Sequence, residues 1–143
     1  MSTPTPDSKR QLLAHGTAFL VMLTIQFIIG RTITLVTKFQ PFTDQTSSWA
    51  WAWQQPVLVI HIVLGILLVV SSVSLLVRSA AHKSQAWMIA AAVGAVATIV
   101  SFAFGAAFVS TQNRAYTYVM ALFFTVAFWS IVARLLHLVV RYG

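Results

Sequence analysis

Residues 56–78 read PVLVIHIVLGILLVVSSVSLLVR, and this stretch decides the class of fold. The 21 positions between Pro56 and Arg78 contain no Asp, Glu, Lys or Arg, and His61 is their only titratable side chain. At about 1.5 Å per residue, a helix of roughly 20 residues crosses the hydrocarbon core of a bilayer, which is about 30 Å thick. The stretch therefore predicts a transmembrane helix over residues 57–77, with Pro56 in its first turn, where proline is tolerated.

The composition of the whole chain agrees with a lipid environment. Of its 143 residues 59% are hydrophobic and 8% are charged, and the mean hydropathy is +0.85. A water-soluble surface needs about 25% charged residues. The net charge of +7 does not indicate nucleic acid, because the cations stand at the ends of apolar runs and no basic patch is interleaved with aromatic residues. The absence of cysteine excludes disulfides, thiolate metal sites and covalent haem attachment.

Three further apolar runs predict transmembrane helices over residues 12–36, 86–109 and 115–140. The first run carries His15, Gln26 and Arg31. It is longer than the core of a signal peptide and has no small-x-small cleavage site before Arg31, so we expect it to be retained.

The predicted helix over residues 86–109 is rich in small side chains. These fall close to one face, which lets helix backbones approach each other in lipid: Ala90, Gly94, Ala97, Ser101 and Gly105. We expect this helix to be the most buried of the four. The predicted fold is an all-α integral membrane four-helix bundle, up-down-up-down, forming a single domain over residues 11–143. Residues 1–10 are expected to be a disordered cytoplasmic tail.

Residues 37–56 are expected to form the one long loop. Within it Trp49, Trp51 and Trp53 alternate with alanine, a period of two rather than 3.6. Tryptophan prefers the headgroup level of a membrane, so the favoured interpretation is an aromatic belt. A lid or a strip that binds a partner is the alternative.

The distribution of cations predicts the orientation, because cytoplasmic loops carry an excess of Lys and Arg. With both termini inside, six of the nine cations lie on the cytoplasmic side: Lys9, Arg10, Arg78, Lys83, Arg134 and Arg141. Arg31, Lys38 and Arg114 then lie outside. We expect an N-in, C-in protein of the cell membrane, in a bacterial plasma membrane, with the lipid bilayer as its first partner.

The absence of several residue types and motifs argues against some classes of function. No predicted span contains Asp or Glu, which disfavours a channel or a proton-coupled transporter. No Ser-His-Asp, HExxH, P-loop or GxGxxG pattern is present, so an enzyme is not expected. His82 is expected to be a solvated linker residue. His15 and His137 lie near the inner surface, where they could face each other as a ligand pair or lie at the interface as ordinary polar side chains.

His61 lies about 7 Å below the outer end of its helix, and Arg31 and Met120 reach a similar depth. Ser101 and Gly105 approach the same layer. One interpretation is a haem b site with His61 as iron ligand, Met120 as the second ligand and Arg31 beside a propionate. Another is a quinone or a lipid headgroup that accepts hydrogen bonds from His61 and Arg31. The third is packing alone, with His61 bonded to a serine or a carbonyl between helices.

Three segments carry a resemblance to a family: HIVLGILLVVSSVSLLVRS, FGAAFVS and MALFFTVAFWS. They resemble a group of short four-span bacterial membrane proteins of unassigned function. In that group a histidine opens the second helix in an H-x-x-L-G-x-L-L-V context and a Met-Ala pair stands early in the fourth. The positions that match are His61, Leu64, Gly65, Leu67, Leu68, Val69, Met120 and Ala121. The resemblance covers most of residues 30–133.

The layout also resembles one four-helix half of haem A synthase and, more loosely, the b-type membrane cytochromes. Those families place histidine haem ligands on bundle helices, which implies His61 as an axial ligand here. The chain has no histidine in the outer half of its fourth span, no cysteine pair and no acidic catalytic residue. The resemblance therefore implies haem binding at most and no synthase activity.

The function predicted from the sequence is that of a non-enzymatic membrane protein. We expect an accessory subunit or a stand-alone binding module with an outer-leaflet site at His61 and Arg31, either as a homo-oligomer or within a larger membrane complex. The competing hypothesis is a b-type haem protein for electron transfer with His61 as an axial ligand.

Overall fold

The structure, a computed structural model, describes residues 6–37 and 44–142. These residues form five α-helices: α1 (Pro6–Val36), α2 (Gln45–Trp53), α3 (Pro56–Ala81), α4 (Gln85–Thr111) and α5 (Ala115–Tyr142). By length and composition, four of them can cross a membrane: α1, α3, α4 and α5. The chain is thus a multi-pass membrane protein, and the predicted all-α bundle is confirmed.

The four long helices form a ring in which successive members run antiparallel. The most extensive interface joins α4 and α5, α3 packs between α1 and α4, and a smaller contact between α1 and α5 closes the ring. Ser101 in the second half of α4 bonds to Met120 in the first half of α5. His15 near the start of α1 meets Ser71 in the second half of α3. The short connections from α3 to α4 and from α4 to α5 require antiparallel neighbours, because they are too short to return the chain to the opposite end of the bundle.

The helices extend beyond the predicted spans. α1 begins at Pro6, so residues 6–10 are helical where a disordered tail was expected, and residues 1–5 lie outside the described part. Proline is compatible with a first helical turn, and Asp7 in that turn complements the positive end of the helix dipole. α3 likewise continues to Ala81 and α4 begins at Gln85.

The stretch expected as a loop contains α2. Asp44 caps this helix: its Oδ1 accepts from the Ser47 backbone N–H at 2.7 Å and its Oδ2 from the Ser47 hydroxyl at 2.8 Å. These bonds lower the pKa of Asp44 below its ordinary value, and the bond from the backbone N–H has the larger effect.

α2 packs on the bundle through Ser48 and Ala52, which are four residues apart and buried. Trp49 Nε1 also donates to Ser110 Oγ of α4 at 2.9 Å. The loop expectation is therefore wrong for residues 45–53, whereas residues 38–43 lie outside the described part.

The interior has two apolar clusters. The larger one fills the middle of the bundle and the half that contains the start of α1: Leu12, Phe19, Leu23, Leu68, Leu75, Trp87, Ala91 and Ile131. The smaller one lies at the opposite end, which carries α2: Ile33, Ala52, Leu58 and Val109. Many large apolar side chains point outwards, as expected where lipid replaces water. The span of α4 is the most buried of the four, which confirms the prediction from its small residues.

Most hydroxyl groups in the spans donate to a carbonyl three or four residues earlier in their own helix. Examples from each of the four long helices are Thr24 to Leu20, Ser79 to Leu75, Thr98 to Gly94 and Thr125 to Ala121. Such bonds satisfy a donor that has no water to bond with inside a membrane.

Candidate functional site

The most distinctive polar contact inside the bundle joins Gln26 of α1 to His61 of α3. Gln26 is buried, with 7% of its surface exposed, and His61 lies between α1 and α3. The side-chain amide Nε2 of Gln26 donates to the backbone carbonyl of His61 at 3.0 Å. The same nitrogen lies 3.3 Å from the ring Nε2 of His61. One amide group therefore holds both the backbone and the imidazole of His61.

This contact determines which ring nitrogen of His61 carries hydrogen. The carbonyl of His61 can only accept, so the Gln26 atom beside it must be the NH₂ group and not the oxygen. The second N–H of that group points to ring Nε2, which must then be the accepting nitrogen. In the neutral imidazole the hydrogen is consequently on Nδ1.

Two atoms of this pair have no hydrogen-bond partner among the described residues. They are Nδ1 of His61, which is an N–H donor in this tautomer, and Oε1 of Gln26, which is an acceptor. Both atoms are buried. A buried polar atom without a partner costs about 1–3 kcal/mol, and a membrane offers little water to reduce that cost.

Glycines allow the helices to approach at this site. A Cβ on Gly30, one turn after Gln26, would lie 3.1 Å from Cε1 and 3.8 Å from Nδ1 of His61. One turn below His61, a Cβ on Gly65 would lie 3.1 Å from the Phe102 ring and 3.5 Å from Gln26 Nε2. The imidazole thus lies against Gly30 and the Gln26 amide, and the Phe102 ring lies one turn away, beside Gly65. None of these groups carries a charge.

Ser101, Gly105 and Met120, which the sequence placed in the His61 layer, come together on the other side of the bundle. The Ser101 hydroxyl donates to the backbone carbonyl of Met120 at 3.0 Å. The Met120 sulfur lies 3.2 Å from the position of a Cβ on Gly105. These contacts join α4 to α5.

Arg31 is exposed, while its neighbour Gly30 faces His61. Successive helical residues differ by about 100° in direction, so the two positions cannot share a face. Among the described residues no hydrogen bond links His61 to Arg31 or to Met120. Of the residues predicted to share one layer, His61 lies beside Gln26 and Gly30 of α1, and Arg31 is exposed. Ser101, Gly105 and Met120 form a separate set of contacts between α4 and α5.

The remaining histidines lie elsewhere. Ring Nε2 of His15 is 3.3 Å from the carbonyl oxygen of Ser71, at the interface of α1 and α3. His137 is exposed on a groove between α4 and α5, and His82 is the C-cap of α3. Within residues 6–37 and 44–142, no group of three or more His, Cys, Asp or Glu side chains could hold a metal ion.

Comparison of the chain with models of known protein families, with curated proteins and with solved structures finds no match. The family resemblances drawn from the sequence therefore stay predictions. The function has to be argued from the contacts described above.

Proposed function

We propose that the chain is a non-enzymatic binding module of the membrane, with its site at His61 and Gln26. The observation that carries this proposal is the pair of buried, unpartnered atoms, the N–H of His61 Nδ1 and the Oε1 of Gln26. A site built to hydrogen-bond a ligand presents polar atoms of this kind within an apolar wall. We place the chain in a bacterial plasma membrane, N-in and C-in, as a stand-alone module, a homo-oligomer or an accessory subunit of a larger complex.

The chemistry of the two atoms defines the ligand class. The N–H of His61 requires an acceptor such as a carbonyl oxygen, and Oε1 of Gln26 requires a donor such as a hydroxyl. Quinones have carbonyl groups that become hydroxyl groups on reduction, and they dissolve in lipid. The ester carbonyl of a phospholipid is the other source of the same acceptor. A neutral ligand is favoured because the groups in contact with His61 are uncharged. The exposed Arg31 then contacts lipid headgroups and not the ligand.

Haem b is the alternative ligand, with His61 as an axial ligand. Iron binds a ring nitrogen through its lone pair. Here the lone pair of Nε2 accepts from Gln26, and Nδ1 carries hydrogen. To free either nitrogen for iron, the Gln26 amide would have to turn or move away. Turning the amide would exchange its two ends and place Gln26 Oε1 about where Gln26 Nε2 now lies, 3.0 Å from the carbonyl oxygen of His61. Two acceptor oxygens at that distance repel each other. The contacts therefore favour a carbonyl ligand.

Calorimetric titration of the purified protein in nanodiscs with decylubiquinone tests the proposal. We expect saturable binding that His61→Phe abolishes and Gln26→Leu weakens, whereas His82→Phe, in the linker after α3, leaves it intact. Parallel titrations in ester-linked and ether-linked lipid show whether a lipid carbonyl competes for the site. Binding that survives His61→Phe would overturn the assignment. An absorbance spectrum before and after dithionite reduction tests the alternative, since a Soret band lost in His61→Phe would establish haem.

A further inference from the structure

A groove of about 400 Å³ lies between α4 and α5, on the outside of the bundle. Its α4 wall includes Ala90 and Val93, and its α5 wall includes Ser130, Ala133 and Arg134. The groove is open and not enclosed, which suits a molecule that lies along the surface of the bundle. Val93 and Ala133 are exposed, so the groove opens towards lipid.

The polar side chains of the groove follow one face of α5. Ser130, Arg134 and His137 are spaced by four and three residues, which puts them in one row along the helix. The Arg134 guanidinium carbon lies 5.4 Å from the ring centre of Trp87, which is 3% exposed. This cation–π contact holds the positive charge at a fixed place on the groove.

The Arg134 end of the groove lies near the end of the fourth candidate span, Ala115–Leu138. Arg134 is 19 residues after Ala115, so about 28 Å along α5 from its start, close to the full thickness of a hydrocarbon core. The same end of the bundle carries Arg10, Arg78 and Lys83. It is the more cationic of the two ends, and His61 lies towards the other.

We infer that this groove binds the headgroup of an anionic phospholipid, with its phosphate at Arg134 and His137. Charge complementarity supports this occupant, because the lining residues include a fixed cation and neither Asp nor Glu. Basic pockets between transmembrane helices are suited to acidic lipid headgroups. The alanines of both walls leave room for one acyl chain beside the headgroup, which a water-soluble anion would not use.

Native mass spectrometry of the detergent-purified chain tests this site. Phosphatidylglycerol and phosphatidylcholine with identical acyl chains are titrated in turn, and the retained lipid is counted. We expect phosphatidylglycerol to bind about tenfold more tightly, and Arg134→Gln to reduce that preference by about fivefold. Arg114→Gln removes the same charge from the turn at the opposite end, so it should leave the preference unchanged.

A second variant tests the groove without changing the charge. Ala133→Leu should fill the groove and weaken phosphatidylglycerol binding, whereas Ala121→Leu, also exposed on α5 but outside the lining, should not. Arg134→Lys keeps the charge and should retain most of the preference. Equal binding of the two lipids, an unchanged preference in both Arg134→Gln and Ala133→Leu, or full displacement of the lipid by millimolar inorganic phosphate would overturn the inference.

Discussion

The indole of Trp87 occupies the space in which a side chain on Gly16 would lie. A Cβ on Gly16 would be 2.6 Å from Cη2 of Trp87, closer than real side chains approach. The guanidinium carbon of Arg134 lies 5.4 Å from the centre of the same ring. Gly16, Trp87 and Arg134 thus connect α1, α4 and α5 in the half of the bundle that contains the start of α1.

Gly16→Ala should therefore destabilise the bundle. Alanine favours helix by up to about 1 kcal/mol over glycine, but overpacking a tight site costs about 1–3 kcal/mol. Gly105→Ala is the matched control, because its Cβ would meet the mobile sulfur of Met120 at 3.2 Å. Unfolding by SDS in mixed micelles measures both variants. If Gly16→Ala proved as stable as Gly105→Ala, the close contact with Trp87 would be disproved.

His61 should be found as the Nδ1–H tautomer. ¹⁵N spectra of histidine-labelled protein should show His61 with a protonated Nδ1 and an unprotonated Nε2. Gln26→Leu removes the donor to Nε2, so the tautomer should become mixed. An Nε2–H tautomer in the unmodified chain would contradict the proposed donor to a carbonyl ligand.

The bond between Ser101 and Met120 should stabilise the α4–α5 pair only modestly. Interhelical hydrogen bonds in membranes contribute about 0.6 kcal/mol on average and up to about 1.7 kcal/mol to stability. The free energy of unfolding of Ser101→Ala should therefore fall by an amount in this range. Thr125→Ala removes an exposed hydroxyl that bonds within its own helix, and we expect almost no effect. The same SDS unfolding assay compares the two variants. A loss for Thr125→Ala as large as that for Ser101→Ala would argue against the interhelical bond.

The docking of α2 should weaken in acid. Asp44 caps α2, and its pKa in the folded chain lies below its ordinary value of 3.8 because it accepts hydrogen bonds from Ser47. A lowered pKa contributes stability that is complete above the unfolded value and is lost as the pH falls through the folded one. Hydrogen exchange at the Ser47 amide should accelerate, beyond its intrinsic pH dependence, below about pH 4.

Asp44→Asn separates the charge from the cap. Asparagine still accepts the Ser47 bond but does not titrate in this range, so the extra acceleration should disappear. If the variant kept the same pH dependence, another group would be responsible for it.

The transmembrane spans could be predicted because uncharged runs of 20 residues leave the backbone few alternatives to helix. α2 was missed because the alternation of Trp and Ala has a period of two. Its signal was the N-cap Asp44 three residues before Ser47, together with Ser48 and Ala52 four residues apart.

The position of His61 near the start of its helix could be predicted from the sequence, but its partner could not. The rotation of each helix about its axis decides whether Gly30 or Arg31 faces α3. That rotation depends on packing among all the helices. Gln26 and Gly30 share a face by their spacing of four residues, and this was the available clue.

The self-bonded hydroxyls of the spans bear on how the chain is assembled. A helix whose Ser and Thr donors are satisfied by its own carbonyls can enter a bilayer alone, before any neighbour is present. Gln26 and His15 are different, because their described bonds cross from α1 to α3. Before α3 is inserted beside α1, these two side chains lack the partners that they have in the folded bundle. Pairing of α1 with α3 therefore satisfies polar groups that α1 cannot satisfy by itself, and this favours α3 as the neighbour of α1 during assembly.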